Sequence, residues 1–178
     1  HAHSDVPNRS YCPNSGLIGL EKENGELLCS DPLRPAQNGR DLMERTLRYL
    51  EDYNMYAIAM TQDYSQLEKW IENSHRILPS IQTGIADFEK NEVQHLVESG
   101  KVIAIGELMT QYEGISPDSE EIEKIWDLAV AEDIPVGIHM SAPGAQLPNY
   151  VARYGNPLLL EPVLKKYLEL RIYLMHAG

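Results

Sequence analysis

Val102-Ile103-Ala104-Ile105-Gly106-Glu107 is the stretch that decides how this chain folds. Four apolar residues run together without the 3.6-residue spacing of a helix, and a run so short suits a strand buried on both faces. It ends in a carboxylate, which is costly to bury unless a metal or a partner compensates it. The pattern repeats on either side. Before it, Glu89 to Val97 is helical and stops at Gly100, a residue type that commonly ends helices. After it, Asp118 with Glu121 forms a capping-box start for a helix through Ile125, Leu128, Ala129 and Ala131.

The alternation extends in both directions, with strands expected near 55–60, 77–82, 102–107, 134–139 and 171–176. Pro79 weakens the second of these. Leu42, Met43, Thr46, Leu47 and Leu50 recur at helical spacing behind a cap at Asn38 or Asp41. Tyr64 to Ile71 is a second amphipathic helix, and Asn156-Pro157 opens another through Leu160, Val163, Leu164 and Leu168. Short apolar strands joined by helices build parallel sheets, because each crossover needs a helix to return the chain. An open doubly wound sheet and a closed barrel both fit. No Gly-x-Gly-x-x-Gly follows the first strand, which removes one support for a nucleotide-binding sheet.

The expected fold is therefore α/β, a (β/α)8 TIM barrel that is incomplete, from the end of strand 1 through strand 6, since a whole barrel takes about 250 residues. Residues 1–178 form one partial barrel domain. Within it, residues 4–37 hold Pro7, Pro13, Gly16, Gly19, Gly25, Pro32 and Pro35, and read as a long active-site loop with a short hairpin near Asn24-Gly25. The chain starts inside a His-x-His motif without an initiating Met and stops directly after a strand, so a fragment is the simplest expectation.

Composition excludes several functions. An apolar fraction of 43% and a charged fraction of 24% are those of a globular protein. A net charge of −12 argues against a nucleic-acid or anionic-membrane surface, and no apolar run approaches the roughly 20 residues that span a bilayer. Cys12 and Cys29 are too few for a disulfide scaffold and read as two thiols in preference to a pair, which leaves the compartment open. The expected partner is a small-molecule substrate; self-association into a homo-oligomer is not excluded.

In a parallel barrel all strands end on one face, where active sites collect. His1 and His3, spaced i, i+2, point the same way on a strand, and imidazoles are standard ligands for Zn and similar ions. Glu107, His139 and His176 each close an apolar strand. Each alone has an ordinary alternative: a chance histidine pair, a solvent-facing loop carboxylate, a hydrogen-bonded core histidine. Together they suggest a site for one or two divalent ions, Zn or else Mn. His75 and His95 fall on helices and read as surface residues. Arg9, Tyr11 and Arg34 in the long loop, with Gln111 and Tyr112 after the fourth strand, are placed to contact substrate.

His1-Ala2-His3, Ile105-Gly106-Glu107, Ile138-His139 and Met175-His176-Ala177-Gly178 resemble the metal-ligand series of the amidohydrolase superfamily, in particular its amidohydrolase-2 (amidohydrolase-related) branch, at strands one, four, five and six. The resemblance implies that His1 and His3 bind one metal and that His139 and His176 bind a second metal or the substrate. It makes Glu107 a bridge between metals, and Glu107 and His176 the catalytic candidates. The family's strand-eight aspartate has no counterpart here, so the chain as written is expected to lack a complete catalytic site. The activity implied is hydrolysis of an amide, lactone or ester carbonyl by metal-activated water. Nonoxidative decarboxylation in the same branch is one alternative, and a noncatalytic barrel relative whose long loop binds a partner is another.

Overall fold

Six strands lie side by side in chain order, every neighbouring pair parallel. They are β1 (Ala2–His3), β2 (Ala57–Thr61), β3 (Ile77–Ile81), β4 (Ala104–Leu108), β5 (Val136–His139) and β6 (Ile172–Met175). Between them run α1 (Gly39–Asp52), α2 (Tyr64–Asn73), α3 (Lys90–Glu98), a single turn α4 (Thr110–Glu113), α5 (Glu120–Ala131) and α6 (Glu161–Lys166), the last preceded by 3-10 turns at Ala152–Gly155 and Pro157–Leu160. The computed structural model describes residues 2–3, 35–61, 64–140 and 148–176. The expected loop and hairpin over 4–34, both cysteines, and Arg9, Tyr11 and Arg34 lie outside the described residues, as do His1 and the side chain of His3. Helices and parallel strands alternating in one sheet make the fold α/β.

Three strands begin two residues later than the apolar runs suggest, at 57, 104 and 136. The residues in front of them still bond back to the helix just left: Met55 N–H to Leu50 O at 2.8 Å, Val102 N–H to Leu96 O at 3.3 Å, Ile134 N–H to Ala129 O at 3.0 Å. A left-handed residue closes each of those helices, Asn54 (φ 49), Gly100 (φ 69) and Asp133 (φ 49). That conformation satisfies terminal carbonyls and turns the chain toward the sheet. Pro79 is tolerated inside β3, where its carbonyl still accepts Ile103 N–H at 2.9 Å.

Of the two expected candidates Asn38 caps α1, its side chain accepting from Asp41 N–H at 3.0 Å. Three other local expectations need correction. Ser119 rather than Asp118 precedes α5, and the Asp118 carboxylate accepts from the Ser116 hydroxyl. The helix after Asn156-Pro157 starts as a 3-10 turn, with the Asn156 side chain accepting Leu158 N–H, and ends at Lys166, which leaves Leu168 exposed. His75 stands in the turn after α2 rather than on a helix, exposed as expected, with its ring edge against Tyr56. His95 is on α3 and exposed.

Side chains alternate across the sheet. Ile105, Leu108, Val136 and Ile138 pack with Ile122, Ile125 and Leu128 of α5 in the larger core, while Ala57, Ala59 and Ile77 pack with Leu50, Leu67 and Trp70 in a smaller one. Fully burying one such Leu or Ile contributes about 1.5–3 kcal/mol. The opposite face carries Ser80, Gly137 and Tyr173, and His139 follows Gly137 on it. Among the described residues no helix is long and apolar enough to cross a membrane.

Candidate metal centre

Glu107 reaches the face that carries His139 through an irregularity in its strand. Ile105 pairs with Val136 and Leu108 with Ile138, so two residues of β4, Gly106 and Glu107, stand opposite Gly137 alone. Such a bulge re-aims a side chain. Regular alternation would leave Glu107 on the side of Ile105, facing α5. The bulge needs glycine at its first position: Gly106 has φ 123, and a Cβ there would meet the Gly137 carbonyl oxygen at 2.5 Å.

His139, the last residue of β5, follows Gly137 on the same face, and its Nδ1 contacts Glu107 Oε1. His176 lies one residue past β6, where the backbone turns left-handed (φ 59). Strand alternation would set it beside Leu174 on the helix side, but the chain has left the strand. Its Nε2 reaches the same Glu107 oxygen at 3.2 Å. The side chains grade from 2% exposed at Glu107 through 13% at His139 to 41% at His176, so the site opens to solvent on the His176 side.

One ligand atom from each of the three lies within 4.8 Å of the others. Donors on opposite sides of one ion bound at about 2.2 Å stand at most about 4.4 Å apart, so the cluster closes on an ion with shifts of a few tenths of an ångström. A carboxylate oxygen and two imidazole nitrogens are donors that suit Zn and Mn.

Beyond His139 the rings continue outward. Tyr112 stands edge-on to His139 with centroids 5.2 Å apart, and Tyr150 edge-on to Tyr112 at 5.3 Å. The turn α4 holds this wall together. The Thr110 hydroxyl donates to Tyr154 O at 3.1 Å, and Gln111 O accepts Val151 N–H at 2.8 Å. Gln111 is fully buried, and its Nε2 has no hydrogen-bond partner. The Glu113 carboxylate reaches across to accept Ile85 N–H at 2.8 Å and Ala86 N–H at 3.3 Å, tying down the loop after β3.

Three of the expected ligands, Glu107, His139 and His176, thus come together, and Tyr112 stands beside them. Tyr150 and Tyr173 escaped the sequence reading. Tyr150 sits in a turn-rich stretch with no periodicity to place it. Tyr173 has a signal, being two residues before Met175 on one strand face, but an aromatic residue in a strand reads first as packing.

A family model described as amidohydrolase matches residues 43–178, a span that contains Glu107, His139 and His176 but neither His1 nor His3. No curated protein matches the chain.

Proposed function

This chain belongs to the amidohydrolase family, and on that premise we propose that it is a metal-dependent hydrolase acting on an amide, lactone or ester carbonyl. Membership supports hydrolase- or decarboxylase-type chemistry in general. The observation that carries the narrower reading is the convergence of Glu107, His139 and His176 at the C-terminal ends of three consecutive parallel strands. The sequential parallel order also supports placing these strands in an incomplete (β/α)8 barrel, whose active sites lie at this end.

Glu107, His139 and His176 would hold the ion, Zn or Mn, with His1 and His3 proposed as further ligands; the backbone of His3 pairs in register with Met60 of β2. When bound, such an ion lowers the pKa of a coordinated water toward about 7 and polarises a carbonyl. The protein's own groups do the rest. Glu107 Oε1 faces two imidazole nitrogens and is the oxygen at which a proton can be held during attack. His176, the most exposed of the three, is where substrate arrives. Tyr112 and Tyr150 form an aromatic wall on the His139 side that limits how a substrate lies and keeps water from that edge. Arg9, Tyr11, Arg34 and Gln111 are proposed as further substrate contacts.

The test is metal content followed by turnover. The purified chain, freed of metal and dialysed against Zn or Mn, should retain one or two ions per molecule, and Glu107→Gln or His139→Ala should release them. Loaded protein is then offered lactones, amides and aromatic carboxylic acids. Ring opening or amide cleavage supports hydrolysis, release of CO2 instead assigns the decarboxylase alternative, and absence of stoichiometric metal contradicts both and favours a binding protein.

A further inference from the structure

Pairing with Met175 holds the backbone of His139 in β5, but the plane of its ring needs a separate cause. The last side-chain torsion of histidine is broad, so the imidazole settles where its surroundings put it. The Glu107 carboxylate meets Nδ1. The His176 ring lies with its centroid 4.6 Å away, tilted by 53°. The Tyr112 ring lies 5.2 Å away and nearly perpendicular, at 87°. Glu107 and His176 are themselves candidate ligands, whereas Tyr112 is not.

That difference matters once His139 serves a cation. A nitrogen that offers its lone pair to a metal no longer donates a proton, so its bond to the Glu107 carboxylate is given up. The edge-to-face packing of Tyr112 requires no proton on the imidazole nitrogen, and it stays when that bond goes.

Tyr112 is also well braced. On one side of it in the chain Gln111 O accepts Val151 N–H at 2.8 Å, and on the other the Glu113 carboxylate accepts Ile85 N–H at 2.8 Å. The Tyr150 ring stands 5.3 Å from the Tyr112 ring at 73°. Tyr150 is fixed by its own neighbours: Val151 through the bond to Gln111, and Asn149 through close packing on Gly114, where a Cβ would meet Asn149 O at 2.6 Å. Rings therefore run without a break from Tyr150 through Tyr112 to His139.

We propose that Tyr112 is a positioning residue of the metal centre, its ring, braced by Tyr150, holding the His139 imidazole in the plane from which it binds a cation. The inference rests on the metal-centre reading above. Groups around a metal ligand commonly orient it through hydrogen bonds; here a perpendicular aromatic contact does so.

The experiment compares wild type with Tyr112→Phe, which keeps the ring, Tyr112→Leu, which removes it, and Tyr150→Leu, which removes only the brace. Cobalt(II) is titrated into each metal-free protein and followed by its visible absorption bands, at a temperature where far-UV circular dichroism shows the protein folded. The expected cobalt dissociation constant rises about three- to tenfold in Tyr112→Leu, with displaced bands, and more than about twofold in Tyr150→Leu. Tyr112→Phe should bind as wild type does. Affinity of Tyr112→Leu within about twofold of wild type, with unchanged bands, would overturn the proposal. So would equal weakening in Tyr112→Phe and Tyr112→Leu, because the hydroxyl and not the ring would then act. If Tyr112→Leu does not fold, Tyr150→Leu decides by the same limit. Wild type that takes up no cobalt is a separate result, read before any variant, which contradicts the metal centre itself and removes the role of Tyr112 with it.

Discussion

The β2–β3 side of the molecule and the β4–β5–β6 side are built from the same strand–helix unit, yet among the described residues the candidate metal ligands gather on the second. Between β2 and β3 every residue pairs in order, from Ala57 with Ile77 to Thr61 with Ile81, and the helices behind them bury Leu50, Leu67 and Trp70. Between β4 and β5 the register slips, two glycines allow close approach, and the strand ends carry Glu107 and His139. The regular half is scaffold. The irregular half spends conformational freedom on aiming side chains, so stability and metal binding should respond to different substitutions.

The largest effect on stability is expected in the regular half. Trp70 is 3% exposed between α1, α2 and β2. Trp70→Ala should cost about 3–5 kcal/mol in urea unfolding, while the molecules that remain folded bind zinc as tightly as wild type. A drop in their zinc affinity would break the separation. Next comes Gly106→Ala in the irregular half, where the added carbon meets the Gly137 backbone at 2.5 Å with φ 123. Strain and crowding together should cost about 2–4 kcal/mol, and here zinc affinity should fall as well, since the bulge that aims Glu107 must reshape.

Much of this contrast is legible in the sequence, and the rest is hidden for a physical reason. Apolar runs such as Met55–Met60 and Val102–Ile105 announce strands because buried parallel strands need no polar face. Glu107, His139 and His176 stand out because each ends such a run. What the sequence does not disclose is how they reach the same face. Strict alternation would send Glu107 toward α5 and His176 toward α6, and a bulge in one case and a left-handed residue in the other reverse that. Neither has a pattern of its own, although Gly106 immediately before Glu107 is a hint. The turn α4 was equally hidden, being too short for periodicity; its role depends on bonds to Val151 and Tyr154 some forty positions away.

Two smaller effects sharpen the comparison. Thr110 is fully buried and its hydroxyl bonds Tyr154 O. Thr110→Val should cost about 1–2 kcal/mol, and loosening the Tyr112–Tyr150 wall should raise KM more than it lowers kcat; equal changes would place the wall in the chemistry itself. The smallest effect is alkaline. The Tyr173 phenol is held above its ordinary range, chiefly by burial. The folded state therefore keeps the proton longer than the unfolded chain, so its contribution is complete below about pH 10 and is lost as pH rises beyond that. Wild type should lose stability as pH rises above about 10, more steeply than Tyr173→Phe; equal slopes would assign the alkaline loss to other groups.

The central claim is that Glu107, His139 and His176 share a divalent ion. Crystals of the zinc-loaded chain, measured on both sides of the zinc absorption edge, test it without reference to any substrate. The account predicts an anomalous peak about 2.0–2.2 Å from an oxygen of Glu107 and from a ring nitrogen of each histidine. Ordered density for all three side chains with no peak between them, or a peak confined to His75 or His95, would contradict it.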